Sequence, residues 1–230
     1  MATLSRWVTA ALIWAMFVAA ARADQPPLSQ SYTKMTSDGR YLLVMLDPSR
    51  VEEDIRWNPA TVAEVKTIHR TYTRSGLYRK GDTSDPLWTV NWYAHGVEAA
   101  ADGVHMIRVN AWIGSPDVPA VEFYANGKPI RSYTPRELMN DPDRFPRTVS
   151  SKLLWYNGGR LDDARLEYAV LTADGNRFVF DIRTGVIVAE SRVAQPLKWA
   201  LWVGVGVVVL AAAAWLVSRW ESLRPRTSRV

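Results

Sequence analysis

Three histidines, His69, His95 and His105, are the residues of this chain best suited to hold a metal or move a proton. His95 and His105 are ten residues apart, and Asp102 stands three before His105, so a hairpin could gather two imidazoles and a carboxylate. No His-Glu-x-x-His or similar ligand spacing supports such a site, and lone histidines on strands are mostly structural, so no metal is expected. The acidic pairs Asp82/Asp85, Asp141/Asp143 and Asp162/Asp163 lack the alternating oxygen ligands, central glycine and closing glutamate of a calcium loop. They read as solvated turns. Gly-x-Ser-x-Gly, Ser-x-x-Lys, the phosphate loop and Gly-x-Gly-x-x-Gly are all absent, and Ser75-Gly76 and Lys80-Gly81-Asp82 read as loop. No cofactor is implied and no catalytic residue can be named.

Aromatic residues are the remaining chemical signal. Between Asp24 and Lys198 there are five Trp, nine Tyr and four Phe. Most of these rings belong in a core. Trp57, Trp112, Trp155 and Tyr156 fall near turns or element ends, and Tyr93 lies on the less apolar face of its segment. Rings displayed on a β scaffold can stack on sugars or anchor a protein partner. Trp57, Tyr93, His95, Trp112 and Trp155 are therefore the candidate ligand-binding residues.

The elements that must position them are strands. Asp38-Gly39, Asp102-Gly103, Asn126-Gly127 and Asp174-Gly175 each adjoin a run of β-prone residues, and such dipeptides permit the positive φ angles of tight hairpins. A meander runs from Leu166 to Thr172, turns at Asp174-Gly175, returns through Phe178-Val179-Phe180, turns at Thr184-Gly185 and leaves through Val186-Ile187-Val188. Trp88, Val90 and Trp92 alternate onto one face and Thr89, Asn91 and His95 onto the other. Helix signals are few. Thr134-Pro135-Arg136-Glu137 is a capping box for a short helix through Met139, and a second short helix is expected between Glu52 and Lys66, broken near Asn58-Pro59. The fold class is all-β: one antiparallel ectodomain, either a sandwich or a small propeller-like meander, with one C-terminal transmembrane helix. Asp181-Ile-Arg-Thr-Gly185 resembles a propeller strand-turn unit, although the turn spacings are irregular.

Both ends carry targeting signals. Arg6, an apolar run from Trp7 and the small residues of Ala21-Arg22-Ala23 have the layout of a secretory signal peptide, residues 1–23. Trp199 to Val217 is nineteen residues without a charge, bracketed by Lys198 and Arg219 and flanked by tryptophans. That suits a transmembrane helix at 197–218. The basic tail, 219–230, is then cytoplasmic, and residues 24–196 form the exported domain. Within Asp24 to Lys198 there are 22 Lys and Arg and 22 Asp and Glu, so the net charge of +5 reports topology and nucleic-acid binding is not expected. With no cysteine and no Asn-x-Ser/Thr sequon in the exported part, a bacterial envelope is the expected compartment, periplasmic if the cell is Gram-negative.

Ser75-Gly76-Leu77-Tyr78-Arg79, Pro86-Leu87-Trp88-Thr89-Val90-Asn91-Trp92-Tyr93 and Asp102-Gly103-Val104-His105 together resemble a group of uncharacterised bacterial envelope proteins, over about Ser37 to Ile187. The resemblance implies an exported bacterial domain and no particular activity. A charge-neutral, aromatic-rich β domain without a catalytic motif reads first as an interaction or scaffolding module, tethered to the bilayer and partnered by another envelope protein. The alternative is a sensor module for a small ligand or glycan, and the next is an enzyme with an unfamiliar site.

Overall fold

The computed structural model of the protein describes residues 29–48 and 59–193. Among them are twelve strands in three antiparallel sheets, each a four-stranded meander in chain order. Sheet 1 contains β1 (Tyr32–Met35), β2 (Tyr41–Met45), β3 (Ser75–Arg79) and β4 (Pro86–Val90). Sheet 2 contains β5 (Gly96–Ala99), β6 (His105–Val109), β7 (Val121–Ala125) and β8 (Lys128–Tyr133). Sheet 3 contains β9 (Tyr156–Asp162), β10 (Glu167–Thr172), β11 (Arg177–Asp181) and β12 (Val186–Ser191). This up-and-down order is that of a propeller blade, without the strand exchange of a Greek-key sandwich.

Every turn dipeptide read from the sequence closes a hairpin. Gly39, Gly103, Gly175 and Gly185 all have positive φ, and Asn126 and Gly127 sit consecutively at φ 49° and 74°, the signature of a type I′ turn. Ser75-Gly76 proved to be strand and not loop. A Cβ on Gly76 would lie 2.2 Å from the Trp88 carbonyl oxygen, so glycine here lets β3 and β4 approach closely.

The alternation of each strand divides its residues between two cores. Leu43, Met45, Leu77 and Trp88 of sheet 1 pack against Val97, Met106 and Tyr124 of sheet 2. Ile107, Val109, Val121, Phe123 and Tyr133 on the opposite face of sheet 2 pack against Tyr168, Val170, Phe178 and Phe180 of sheet 3. Phe123, Tyr133 and Phe180 meet with ring centroids 5.0 to 6.3 Å apart, and burying each such side chain contributes about 1.5–3 kcal/mol. Sheet 2 is thus packed on both faces except along β8, where Tyr133 alone is buried. The remaining face of sheet 1 is covered by helix α1 (Pro59–Thr71), whose Ile68 packs with Val44 and Tyr78.

Helix α1 runs from Pro59 to Thr71, past the expected end at Lys66, and the part expected before Asn58-Pro59 lies outside the described residues. Proline is tolerated in the first turn of a helix, where its fixed φ and missing N–H cost nothing, and Pro59 is the first helical residue among those described. Buried Val65 and Ile68 lie on the apolar stripe of α1, which half-buried Tyr72 just past the helix continues beyond the expected end. The second helix, α2 (Pro135–Leu138), follows Thr134 as its capping sequence requires: the Thr134 N–H donates to the Glu137 carboxylate at 2.7 Å.

The segments expected to be a signal peptide, a transmembrane helix and a cytoplasmic tail lie outside the described residues. Among the described residues no helix is long and apolar enough to cross a membrane.

Candidate functional site

The first strands of the three sheets, β1, β5 and β9, are tied to one another near their ends. Lys34 Nζ of β1 is 2.5 Å from Glu98 Oε1 of β5. Just past the C-terminal ends of the same strands, Asp163 accepts the Ala101 N–H at 2.7 Å and a hydrogen bond from the Ser37 hydroxyl, tying three hairpins together. At the opposite, N-terminal ends lies a cavity of about 440 Å³. Ser29 before β1, His95 and Gly96 at the start of β5 and Tyr156 at the start of β9 all line it, with Tyr93, Arg108, Asn110, Trp112 and Tyr168. Its size lies within the range typical of small-molecule sites.

Three of the five candidate residues, Tyr93, His95 and Trp112, line this cavity. Trp155 does not; it is fully buried beneath Tyr156, with ring centroids 5.2 Å apart, and its indole N–H donates to the Asn110 carbonyl at 2.8 Å. Trp57 lies outside the described residues.

Local bonding fixes the rings. The Tyr93 hydroxyl donates to the Gln30 carbonyl at 2.8 Å and accepts the Gln30 N–H at 3.1 Å. With its one proton committed there, its 3.1 Å contact to His95 Nδ1 places the imidazole proton on Nδ1 and leaves Nε2 as the acceptor of the ring. Tyr32 donates to the Ala94 carbonyl at 2.9 Å, so β1 pins the whole 91–95 loop. Across the cavity, the Asn110 side-chain oxygen accepts the Trp112 N–H at 3.2 Å, an Asx turn that holds the indole at the rim. Tyr156 and Tyr168 bring their hydroxyls to 3.4 Å. A Cβ on Gly159 would stand 2.3 Å from the Tyr168 oxygen, so only glycine leaves room for the phenols.

Electrostatically the cavity is close to neutral. Burial lowers the His95 pKa, with the Asp47 charge acting weakly in the other direction, so the ring is uncharged at neutral pH. Burial raises the pKa of both Tyr93 and Tyr168, which stay protonated. The two charged lining groups already have partners: Glu98 has Lys34, and Arg108 Nη1 is 3.2 Å from Glu122 Oε2. The Arg108 guanidinium also lies 4.7 Å from the centre of the Trp92 ring.

The other chemical candidates are dispersed. Gly96 pairs with Val109 and Ala99 with Met106, so His95 and His105 stand at opposite ends of the β5–β6 hairpin. His105 Nδ1 is 2.6 Å from Asp102 Oδ2, and no group of three or more His, Cys, Asp or Glu that could hold a metal ion occurs among the described residues. Burial opposes ionisation of Asp102, but hydrogen bonds from the His105 ring and from the His105 and Val104 amides outweigh it and hold the carboxyl below its usual range. His69 Nε2 lies 2.7 Å from Ser31 Oγ, the geometry of a base beside a nucleophile. Ser31 is only 3% exposed, however, and its oxygen accepts the Asp47 N–H at 2.8 Å, so the pair ties β1 to α1 and offers no oxygen to a substrate. Asp82 and Asp162 cap their own turns through backbone amides, as solvated turn acids do.

Sequence reasoning missed Arg108, Asn110 and Tyr168 as cavity residues. Tyr168 alternates with Val170 and Thr172 as a core residue would, and only the register of sheet 3 against sheet 2 brings its hydroxyl to the cavity. No family model matches the chain, and neither a curated protein nor a solved structure matches it.

Proposed function

We propose that this protein is a ligand-binding domain of the bacterial envelope, tethered to the bilayer by residues 197–218, which takes a small neutral polyhydroxylated molecule of the sugar class into the cavity at the head of β1, β5 and β9. The observation that carries this reading is the convergence of Tyr93, His95, Trp112, Tyr156 and Tyr168 on one cavity, together with the Asn110 amide and charges already paired. Aromatic faces stack on the C–H faces of a sugar ring, and neutral phenols, imidazole and amide match its hydroxyls. The lining charges of Glu98 and Arg108 are each held in an ion pair, which disfavours a charged ligand. Arg108 Nε, without a hydrogen-bond partner among the described residues, can donate to a neutral hydroxyl. This favours the sensor reading over the scaffold reading, which rests on no comparable feature of the cavity.

Export of the domain and a cytoplasmic C-terminus follow from the segments at the two ends of the sequence and from the resemblance to envelope proteins. The test is a thermal-shift screen of the full-length chain in detergent against glucose, galactose, N-acetylglucosamine and their disaccharides. At least one should raise the melting temperature of the native chain and not that of Trp112→Ala. A screen blank throughout, with the native fold intact, would refute the sugar assignment.

A further inference from the structure

Sheets 1 and 3 end the stack, and they end it differently. Helix α1 covers sheet 1, whereas no described residue covers the outer face of sheet 3. Strand register orders that face into rows. Asp162, Glu167 and Asp181 are cross-strand partners in one row. Arg160, Ala169, Val179 and Ala189 make the next, and Leu171 and Arg177 belong to the third. Val188, the extra residue of a bulge in β12, adds an apolar side chain that is 53% exposed. The surface is concave, with a hollow of about 570 Å³ over Ala169, Val179, Val188 and Ala189.

The charges on this face are unbalanced along its length. Like charges directly opposite one another destabilise a sheet. Asp181 is relieved by Arg183 at 2.9 Å and Asp162 by Arg165 at 4.0 Å, but among the described residues Glu167 between them makes no direct ion pair and feels Arg183 only at longer range. Arg160 and Arg177, one and two rows away, make no direct ion pair among the described residues either. A face that carries acid at one end, Arg177 at the other and the small side chains of Ala169, Val179 and Ala189 between is complementary to itself when turned through 180°.

We propose that the outer face of sheet 3 is the contact between two copies of this chain, packed face to face about a two-fold axis through the Ala169–Val179 row. Glu167 of each copy then meets the Arg177 end of the other, and the small side chains of Ala169, Val179 and Ala189 let the sheets approach at their usual spacing of about 10 Å, with Arg160 at the β9 edge of the contact. This contact is independent of the cavity, which lies on the other side of the sheet.

The absence of cysteine from the chain makes the test direct. In the full-length protein purified in detergent, single cysteines would be placed by Ala169→Cys and Ala189→Cys, with Val149→Cys as the control at a position 82% exposed on another part of the surface. The first two should form a disulfide-linked dimer far faster than the control. Val179→Arg should reduce the native mass from that of two chains to that of one, 25.9 kDa, without altering the circular dichroism spectrum. Equal cross-linking at all three positions would overturn the proposal, as would a monomeric native chain. A monomer in which the cysteine of Ala169→Cys is shielded from maleimide would instead assign the face to another segment, such as residues 194–230.

Discussion

Trp112 reaches the cavity because Asn110 does two things at once. Its backbone carbonyl takes the indole proton of buried Trp155, and its side-chain oxygen turns the chain so that Trp112 stands at the rim. The two tryptophans therefore have separable roles. Trp155→Ala should cost about 3–5 kcal/mol of stability, as large-to-small changes in a packed core do. Trp112→Ala should leave the denaturation midpoint nearly unchanged while abolishing sugar binding, and urea titrations of both variants distinguish the two effects. His95 supplies a pH signature. Its folded pKa lies below the ordinary 6.5, so the unfolded chain binds the proton more readily. Stability from this residue is fully present above 6.5 and declines as pH falls below it. Between about pH 7.5 and about pH 5.5 the native chain should lose more melting temperature than His95→Gln does, provided that His95 is neutral in the fold. At this scale the sequence was partly legible. Tyr93, His95 and Trp112 stood out because each is a ring next to a turn or on a polar face. Trp155 looked the same in one dimension, since nothing local shows that the Ile113–Leu153 bridge and sheet 3 close over it.

At the scale of elements, hairpin chemistry was the most legible feature. Asn126-Gly127 illustrates why: both residues need positive φ, few side chains allow it, and the pair is therefore visible without any structure. Gly127 also has a role beyond its turn, because a Cβ there would lie 2.4 Å from the Thr89 carbonyl oxygen of the neighbouring sheet. Gly127→Ala combines left-handed strain with this collision and should cost about 2 kcal/mol, which lowers Tm by roughly 4–8 °C in a calorimetric scan. Gly39→Ala, with the same sign of φ and open space around the Cβ, should cost less. Helix α1 was less legible at its C-terminal end, because His69, Arg70 and Thr71 carry the helix past Lys66 with only Ile68 to mark its buried face. Ser75-Gly76 misled because a glycine demanded by close strand approach looks like one demanded by a turn.

For the whole molecule, the three-fold repetition was hidden by unequal turns. Asp38-Gly39 closes the first hairpin of its sheet, Asn126-Gly127 the last of its own and Asp174-Gly175 a central one, so the turns recur irregularly although the meanders do not. The insertion of α1 between β2 and β3 lengthens one meander further. What no linear signal reveals is the convergence of β1, β5 and β9, which depends on sheet-to-sheet packing, and the cavity exists only because of it. Asp163 tests this arrangement. Asp163→Ala removes the shared acceptor of the Ala101 amide and the Ser37 hydroxyl, and should lower Tm while leaving the far-ultraviolet spectrum of the separate sheets intact.

The account turns on the cavity at the head of those three strands, and saturation-transfer difference NMR on the full-length chain in detergent addresses it most directly. Irradiation of the aromatic protons should transfer saturation to the ring C–H protons of at least one of glucose, galactose and N-acetylglucosamine in the native protein, and the transfer should vanish in Trp112→Ala. Transfer that persists undiminished in Trp112→Ala, or none from the native chain to any of the three sugars, would contradict it.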